Sequence, residues 1–273
     1  MQHAVCLIDA NGVLLTTDAD GRAAPNWIAA NLAALRAGAD AVAGRAVIDP
    51  DEAAAIPHHL HEDDARECAY ADLLDELEAT LDPDPADPWP RHNEHSGASL
   101  AVSRDAYEKV GGIPPVPLGE DRAFVTALQS IDARIRHAPE IVVTVSGRLD
   151  GRAEGGMADT MRRRIIRQDD YVDDRLEPVA RRLRRIDARI RFRAAWRVGV
   201  ADLALAARLR ISPALVATAI QQPFCGAGWK MIERASLLLA PCVLRRVQLD
   251  REARRTQQLL NRLRSIRQQV DAV

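Results

Sequence analysis

The sequence predicts an α/β sheet core followed by an all-α C-terminal region, and three observations predict it. Short β-branched runs alternate with helix-period runs as far as Gly151. From Met157 onward strand patterning stops and only helical segments follow. The charge changes sign at the same place. Residues 1–150 hold 11 Lys and Arg against 26 Asp and Glu, a net of −15. Residues 151–273 hold 26 against 13, a net of +13, in a chain whose overall charge is −2. The boundary therefore falls in the GRAEGG stretch, dividing the chain into regions 1–152 and 153–273.

Each element has its own justification. Val13–Thr17 is a short apolar, β-branched run and reads as a buried strand. Pro25 suits the first turn of a helix over 26–37, with Trp27, Ile28, Leu32 and Leu35 as its apolar stripe, and Gly38 closes it. Asp40–Asp49 is the next strand. Leu60–Leu81 is helical, with Leu73, Leu74, Leu77 and Leu81 on one side and acids on the other. The DPDPADPWP stretch from Asp82 to Pro90 excludes regular structure, because proline removes donors and restrains its neighbour; it reads as a long surface loop. Ser96–Ser103 alternates like a strand, and RDAYEKVGG follows as a short helix ended by glycines. IPPVPLG leads into the helix GEDRAFVTALQS, and RIRHAPEIVVTVSG supplies one or two strands. In the basic region the helices are ADTMRRRIIRQ, an Arg-rich segment to Arg193, AWRVGVADLALAARLR, a helix begun by Pro213, GAGWKMIERASLLL, and Val243–Val270.

Composition narrows the class. Hydrophobic content of 47% with only 4% aromatics describes a globular chain whose core rests on Leu, Ile, Val and Ala. The cysteines Cys6, Cys68, Cys225 and Cys242 lack C-x-x-C spacing, so buried, reduced thiols and a cytoplasmic location are expected. No signal peptide and no membrane-length apolar run is seen; ASLLLAPCVL is broken by Pro241. The two halves can attract each other, or the basic half can face an anionic partner; a solvated face is the plainer reading.

Candidate chemistry rests on carboxylates. Asp18 and Asp20 follow the first strand, and in α/β sheets ligands bind at the carboxyl ends of strands. A D-x-D there suits a hard divalent cation, Mg²⁺ or Mn²⁺, that takes its other ligands from phosphate and water; the plainer reading is an Asp/Gly turn. Glu120 and Asp121 open a helix, where acids also serve the helix dipole. The histidines His58, His59 and His61 lack a partner at zinc spacing. His95 is a candidate for contacting phosphate or sugar, and Trp89 for stacking on an acceptor.

The order TTDAD, HSGASLAVSRDAYEKVGG, GEDRAFV resembles the family 2 glycosyltransferases of the GT-A fold, across roughly Val13 to Ser146. The resemblance implies a GT-A-like, Rossmann-like sheet core that transfers a sugar from a nucleotide-sugar to an unknown hydroxyl acceptor, with a divalent metal and inversion at the anomeric carbon. It implies Asp20 as metal ligand and Asp18 as metal or donor contact, with Ser96, Gly97 and Ser99 beside the donor. Asp121 would be the general base, and Glu120 would orient Asp121 or the sugar. No histidine follows the last core strand, so the third metal ligand is open, and Arg148 or Arg152 is a candidate phosphate contact. In that family two or three strand–helix units precede the D-x-D, whereas twelve residues precede Val13 here. A truncated core, an incomplete nucleotide pocket, inactivity as given and an uncovered sheet edge open to self-association are therefore expected. The competing class is a binding protein whose tail, ADLALAARLRISPALVATAIQQ, reads as helix–turn–helix. Its second helix has no Lys or Arg, which argues against nucleic acid. The arginines and short apolar faces of the tail also allow a peripheral membrane contact.

Overall fold

A computed structural model describes residues 1–149, 157–167 and 169–271. The boundary proposed for the two regions, and Arg152, lie outside the described residues. The molecule is mixed α/β, with one five-stranded mixed sheet followed in sequence by helices. The strands are β1 (Val13–Thr16), β2 (Arg22–Ala23), β3 (Ala41–Ile48), β4 (Leu100–Ser103) and β5 (Ile135–Val145), in the spatial order β1-β4-β3-β5-β2. Only β3 and β5 run parallel. β1 is an edge strand and half-buried rather than buried.

Helices cover both faces of the sheet. The helices of the first half are α1 (Trp27–Arg36), α2 (Pro50–Ala53), α3 (His58–Leu81), α4 (Arg104–Lys109) and α5 (Glu120–Ser130). Strand alternation sends Leu14, Ala43, Leu100 and Ile135 toward Tyr107, Phe124 and Leu128 of α4 and α5. It sends Val42, Ala101, Ile141 and Val143 toward Trp27 of α1. The buried stripe of α1 is Trp27 and Asn31; Ile28, expected in it, is 59% exposed. Asn31 takes the inward position instead: its Nδ2 donates to the Trp27 carbonyl at 2.9 Å, and its buried Oδ1 has no partner among the described residues.

The second half contributes α6 (Met157–Ile166), α7 (Val179–Val198), α8 (Leu203–Leu209), α9 (Pro213–Ile220), α10 (Cys225–Ala235) and α11 (Leu249–Asp271). The single helix expected from Ala195 to Arg210 is two. Gly199, at φ +72°, ends α7, and the Asp202 side chain caps α8. Phe192, Leu205, Val216 and Ile232 form one core there. A second core joins the halves, with Tyr70, Leu74 and Leu77 of α3 packed on Val179, Leu249 and Leu260.

Two further expectations need correction. The acids of α3 do not simply face water: Asp63, Glu67 and Asp75 are buried. Arginines of the basic half reach into this layer. Arg182 and Arg189 meet Glu78 at 2.9 Å each, Arg193 meets Asp82 at 2.7 Å, and Arg246 meets Asp63 at 2.6 Å. Part of the opposite charge of the two halves is thus neutralised across the joint between them. The thiols are not buried either: Cys6 and Cys68 are exposed, and Cys225 and Cys242 are half-buried.

Candidate functional site

The D-x-D turn lies across one end of the sheet. β1 is at one edge and β2 at the other, so Thr17–Gly21 must cross between them past the carboxyl-terminal halves of β3 and β5. Gly21 fits there because a Cβ would sit 3.3 Å from Val143 Cγ1 and 3.2 Å from the Asp18 carbonyl. The amino end of β4 reaches the same place. Residues 97–99 form a single 3-10 turn, not the strand expected from Ser96, and β4 begins at Leu100. Two side chains hold that turn out of the ladder: Ser96 Oγ accepts from the Ala98 N–H at 3.3 Å, and Asp121 Oδ2 accepts from the Gly97 N–H at 3.1 Å.

That second bond ties the E-D pair to the S-G-A-S segment. Gly119, at φ +75°, turns the chain into α5, so Glu120 and Asp121 open the helix beside Gly97. Asp121 Oδ1 also accepts from the Arg122 N–H at 2.6 Å. Asp18 registers the convergence: its carboxyl is raised above the usual carboxylate value, first by desolvation and then by Asp20, Asp121 and Glu120. Because Asp18 as a whole is exposed, the three neighbouring carboxylates are the cause that bears on chemistry. Asp20 carries a counter-charge from just beyond β5, where Arg148 Nη2 lies 2.6 Å from its Oδ2.

The remaining candidates fall in different surroundings. Ser99 is fully buried, and its hydroxyl accepts from Trp27 Nε1 at 3.1 Å, so it organises the core rather than facing a ligand. Trp89 is 44% exposed in a loop fastened to β5, where Arg136 donates to the Pro88 and Pro90 carbonyls at 2.6 and 2.9 Å. That loop is not wholly a surface feature, since Asp82 and Asp87 within it are buried. His58 lies 3.3 Å from Glu62, and His61 Nε2 lies 2.9 Å from the Ala53 carbonyl. His95 Nε2 lies 3.1 Å from His137 Nε2.

His137 and Asp87, whose side chains meet at 2.8 Å between Nδ1 and Oδ2, were missed from the sequence. The signal for His137 was present, because it stands two residues from Ile135 in an alternating strand and so faces inward. Asp87 gave none.

A cavity of about 110 Å³ lies apart from the carboxylates, where α3 and the 92–94 segment meet the basic half, lined among others by Arg45, Cys68, Asp75, Glu94, Asp173 and Arg182. Burial pushes Asp75 up to about 7 despite Arg182, while burial and then Asp64, Glu94 and Asp72 push the Cys68 thiol up to about 12. The carboxylate turn, not this cavity, combines motif residues with access from solvent.

The donor chemistry of the turn suits a hard divalent cation. Asp18 and Asp20 offer oxygen ligands, and Mg²⁺ or Mn²⁺ usually takes one or two carboxylates and fills its sphere from phosphate and water. Among the described residues, no group of three or more His, Cys, Asp or Glu is placed to hold a metal. Such an ion would therefore depend on its ligand for the rest of its coordination. The segment that reads as helix–turn–helix forms two consecutive short helices, α8 and α9, with Ser212 capping α9. Its second helix carries no Lys or Arg, and no helix among the described residues is long and apolar enough to cross a membrane. Comparison of the chain with protein-family models, curated proteins and solved structures finds no match.

Proposed function

We propose that the protein binds a nucleotide-sugar at the Asp18–Asp121 cluster and transfers the sugar, with inversion, to a hydroxyl acceptor, on a core of GT-A type. The observation that carries this reading is the meeting of three separated motifs at one sheet end. Asp18 and Asp20 arrive on the crossing turn, Gly97 on the 3-10 turn, and Glu120 and Asp121 on α5, with Gly97 N–H bonded to Asp121. An excess of carboxylates there favours a cation, and a divalent metal held by Asp18 and Asp20 would offset charge on a leaving diphosphate.

In this reading Asp121 acts as the general base. Its two backbone hydrogen bonds fix the carboxylate while leaving lone pairs for an incoming hydroxyl. Glu120 adds negative charge beside it. Ser96 shapes the turn, and Gly97 gives a ligand close access to the backbone, since a Cβ there would meet nothing nearer than Asp121 Cβ at 3.8 Å. Arg148 releases Asp20 and meets phosphate when donor binds, a role open to its guanidinium fork.

Calorimetry with UDP- and GDP-sugars in the presence of Mn²⁺ tests the proposal. Binding that disappears in Asp20→Ala is expected. No binding by the intact chain would overturn donor use; tight binding would show that the nucleotide pocket is complete.

A further inference from the structure

The cavity between α3 and the basic half is lined along one stripe of α3, where Asp64, Cys68, Ala71 and Asp75 recur at intervals of four, three and four residues. Asp64 and Cys68 are exposed, whereas Asp75 is only 6% exposed, so the stripe runs from the cavity mouth inward. Leu176 and Arg182 of the basic half line the same space, as do Asn93 and Glu94. The Asp75 carboxyl makes no hydrogen bond or ion pair with any described residue. Its oxygens are nevertheless not sealed in protein. In a residue this deeply buried, they open on the cavity that Asp75 lines.

The charges already matched decide the sign of the ligand. Each arginine of the lining has a carboxylate partner: Arg45 meets Asp72 at 3.1 Å, Arg164 meets Asp169 at 3.2 Å, and Arg175 and Arg182 meet Asp173 and Glu78 at 2.9 Å each. Asp64 is met only by the Cys68 thiol, at 3.9 Å, and Asp75 by nothing. The unmatched charge is negative, so the cavity calls for a cation. A hard metal ion does not fit, because no three His, Cys, Asp or Glu among the described residues are placed to hold one. An ammonium needs less, since its three N–H donors take acceptors at ordinary hydrogen-bond distances. Ala71, Leu74 and Leu176 add apolar wall. The volume of about 110 Å³ is somewhat smaller than the ~150 Å³ that accommodates benzene, which limits the ligand to a few heavy atoms. Burial, helped by Glu78 and opposed by Arg182, Arg91 and His137, holds the Asp75 carboxyl up to about 7, as befits a group whose charge lacks a partner.

We propose that this cavity binds a small primary alkylammonium, its –NH₃⁺ group hydrogen-bonded to the Asp75 carboxylate and its alkyl chain packed on Ala71, Leu74 and Leu176. The transfer reading above uses none of these residues, so the two stand or fall separately. The ligand competes with a proton for Asp75. An alkylammonium, like lysine, stays charged near neutral pH, so the titration belongs to the protein. The groups facing Asp75 are Glu78 on its own helix, Arg182 on α7, Arg91 in the proline-rich loop segment and His137 on β5. With the carboxyl half protonated near pH 7, affinity should fall about tenfold from pH 8 to pH 6.

Calorimetry of the intact protein with propylammonium chloride tests this, against sodium chloride and tetramethylammonium chloride at equal ionic strength. One saturable site with a Kd of about 1 mM is expected at pH 8. Neither comparison salt should bind, because neither cation carries an N–H donor. Asp75→Asn keeps the shape and removes the charge, so it should bind propylammonium about tenfold more weakly and lose the pH dependence. Ala71→Leu keeps the carboxylate and fills the apolar wall, so it should weaken propylammonium more than methylammonium. No saturable binding at pH 8, equal binding of tetramethylammonium, or undiminished binding by Asp75→Asn overturns the proposal and leaves the cavity to water. An affinity that stays flat from pH 8 to pH 6 in the unaltered protein overturns it too, without recourse to any variant.

Discussion

Glu78 is the residue whose loss should be felt most across the joint between the acidic and basic halves. It meets Arg182 and Arg189 at 2.9 Å each and Arg91 at 3.7 Å, with only 15% of its side chain exposed. A unit pair near 4 Å at an effective dielectric of about 20 is worth roughly 4 kcal/mol, so three pairs set a ceiling of about 12 kcal/mol. Glu78→Gln keeps the shape and removes the charge, but it also returns the cost of burying a carboxylate. Each guanidinium also keeps a second acid: Arg189 keeps Asp82, Arg182 keeps Glu177 and Arg91 keeps Asp87. The net loss should therefore be about 3 kcal/mol, at the low end for a broken buried pair. That corresponds to a fall in Tm of about 6–12 °C. Burial alone would raise the pKa of Glu78, but Arg189, Arg182 and Arg91 outweigh it and hold the carboxyl well below its ordinary value. A depressed folded pKa contributes stability above the unfolded value, and that stability is lost as pH falls through the folded one. Urea unfolding followed by circular dichroism should accordingly show the gap between wild type and variant undiminished from pH 7 to pH 5, closing only in strong acid. A gap under about 1 kcal/mol, or one already closed at pH 5, would refute this reasoning.

Three more outcomes are expected. Gly44→Ala should cost about 1–3 kcal/mol in urea unfolding, because its Cβ would fall 2.3 Å from Ser99 Oγ and 2.5 Å from the Ile141 carbonyl, at the irregularity between β3 and β5. Cys68 should react with a disulfide reagent at pH 8 far more slowly in the folded protein than in urea, since its thiol lines the cavity and burial, then Asp64, Glu94 and Asp72, push it up to about 12 although part of the residue reaches the surface; peptide mapping of the labelled protein reads this. On the transfer function proposed above, Asp121→Asn should lower sugar transfer by about 10²–10⁴-fold while leaving donor affinity within a few-fold, in a kcat against KM comparison.

Most elements were legible because their signals are local. Strand β3, helix α3, helix α5 and the glycines after α4 each announce themselves through period or backbone freedom. What was not legible depends on partners far away in sequence. Ile28 is expected to be buried because it is apolar, yet geometry gives the inward position to Asn31, whose Nδ2 donates to the Trp27 carbonyl while its Oδ1 stays without a partner among the described residues. Residues 97–99 looked like strand until Ser96 and Asp121 took their N–H groups. The acids of α3 looked solvated because nothing local shows that Arg182, Arg189 and Arg246 arrive from the other half. The candidate site divides in the same way. Its motif residues can be found by spacing, but the burial of Ser99 and the Asp87–His137–His95 chain exist only once β4, β5 and the proline-rich loop are brought together.

The joint between the halves also bears on how the chain is made. A ribosome delivers the −15 portion first, so α3 emerges before any of the arginines that will cover its acids. Arg182 and Arg189 follow with α7, but Leu249 and Leu260, which close the apolar side of Tyr70 and Leu77, come only with α11. Docking of α3 should thus wait for almost all of the 273 residues, which makes folding a late event in synthesis and lengthens the time a chaperone has to hold the nascent acidic half. Pulsed proteolysis of stalled nascent chains would reveal this as cleavage in α3 that persists until α11 has cleared the exit tunnel. Protection of α3 in chains that end before α11 would rule it out.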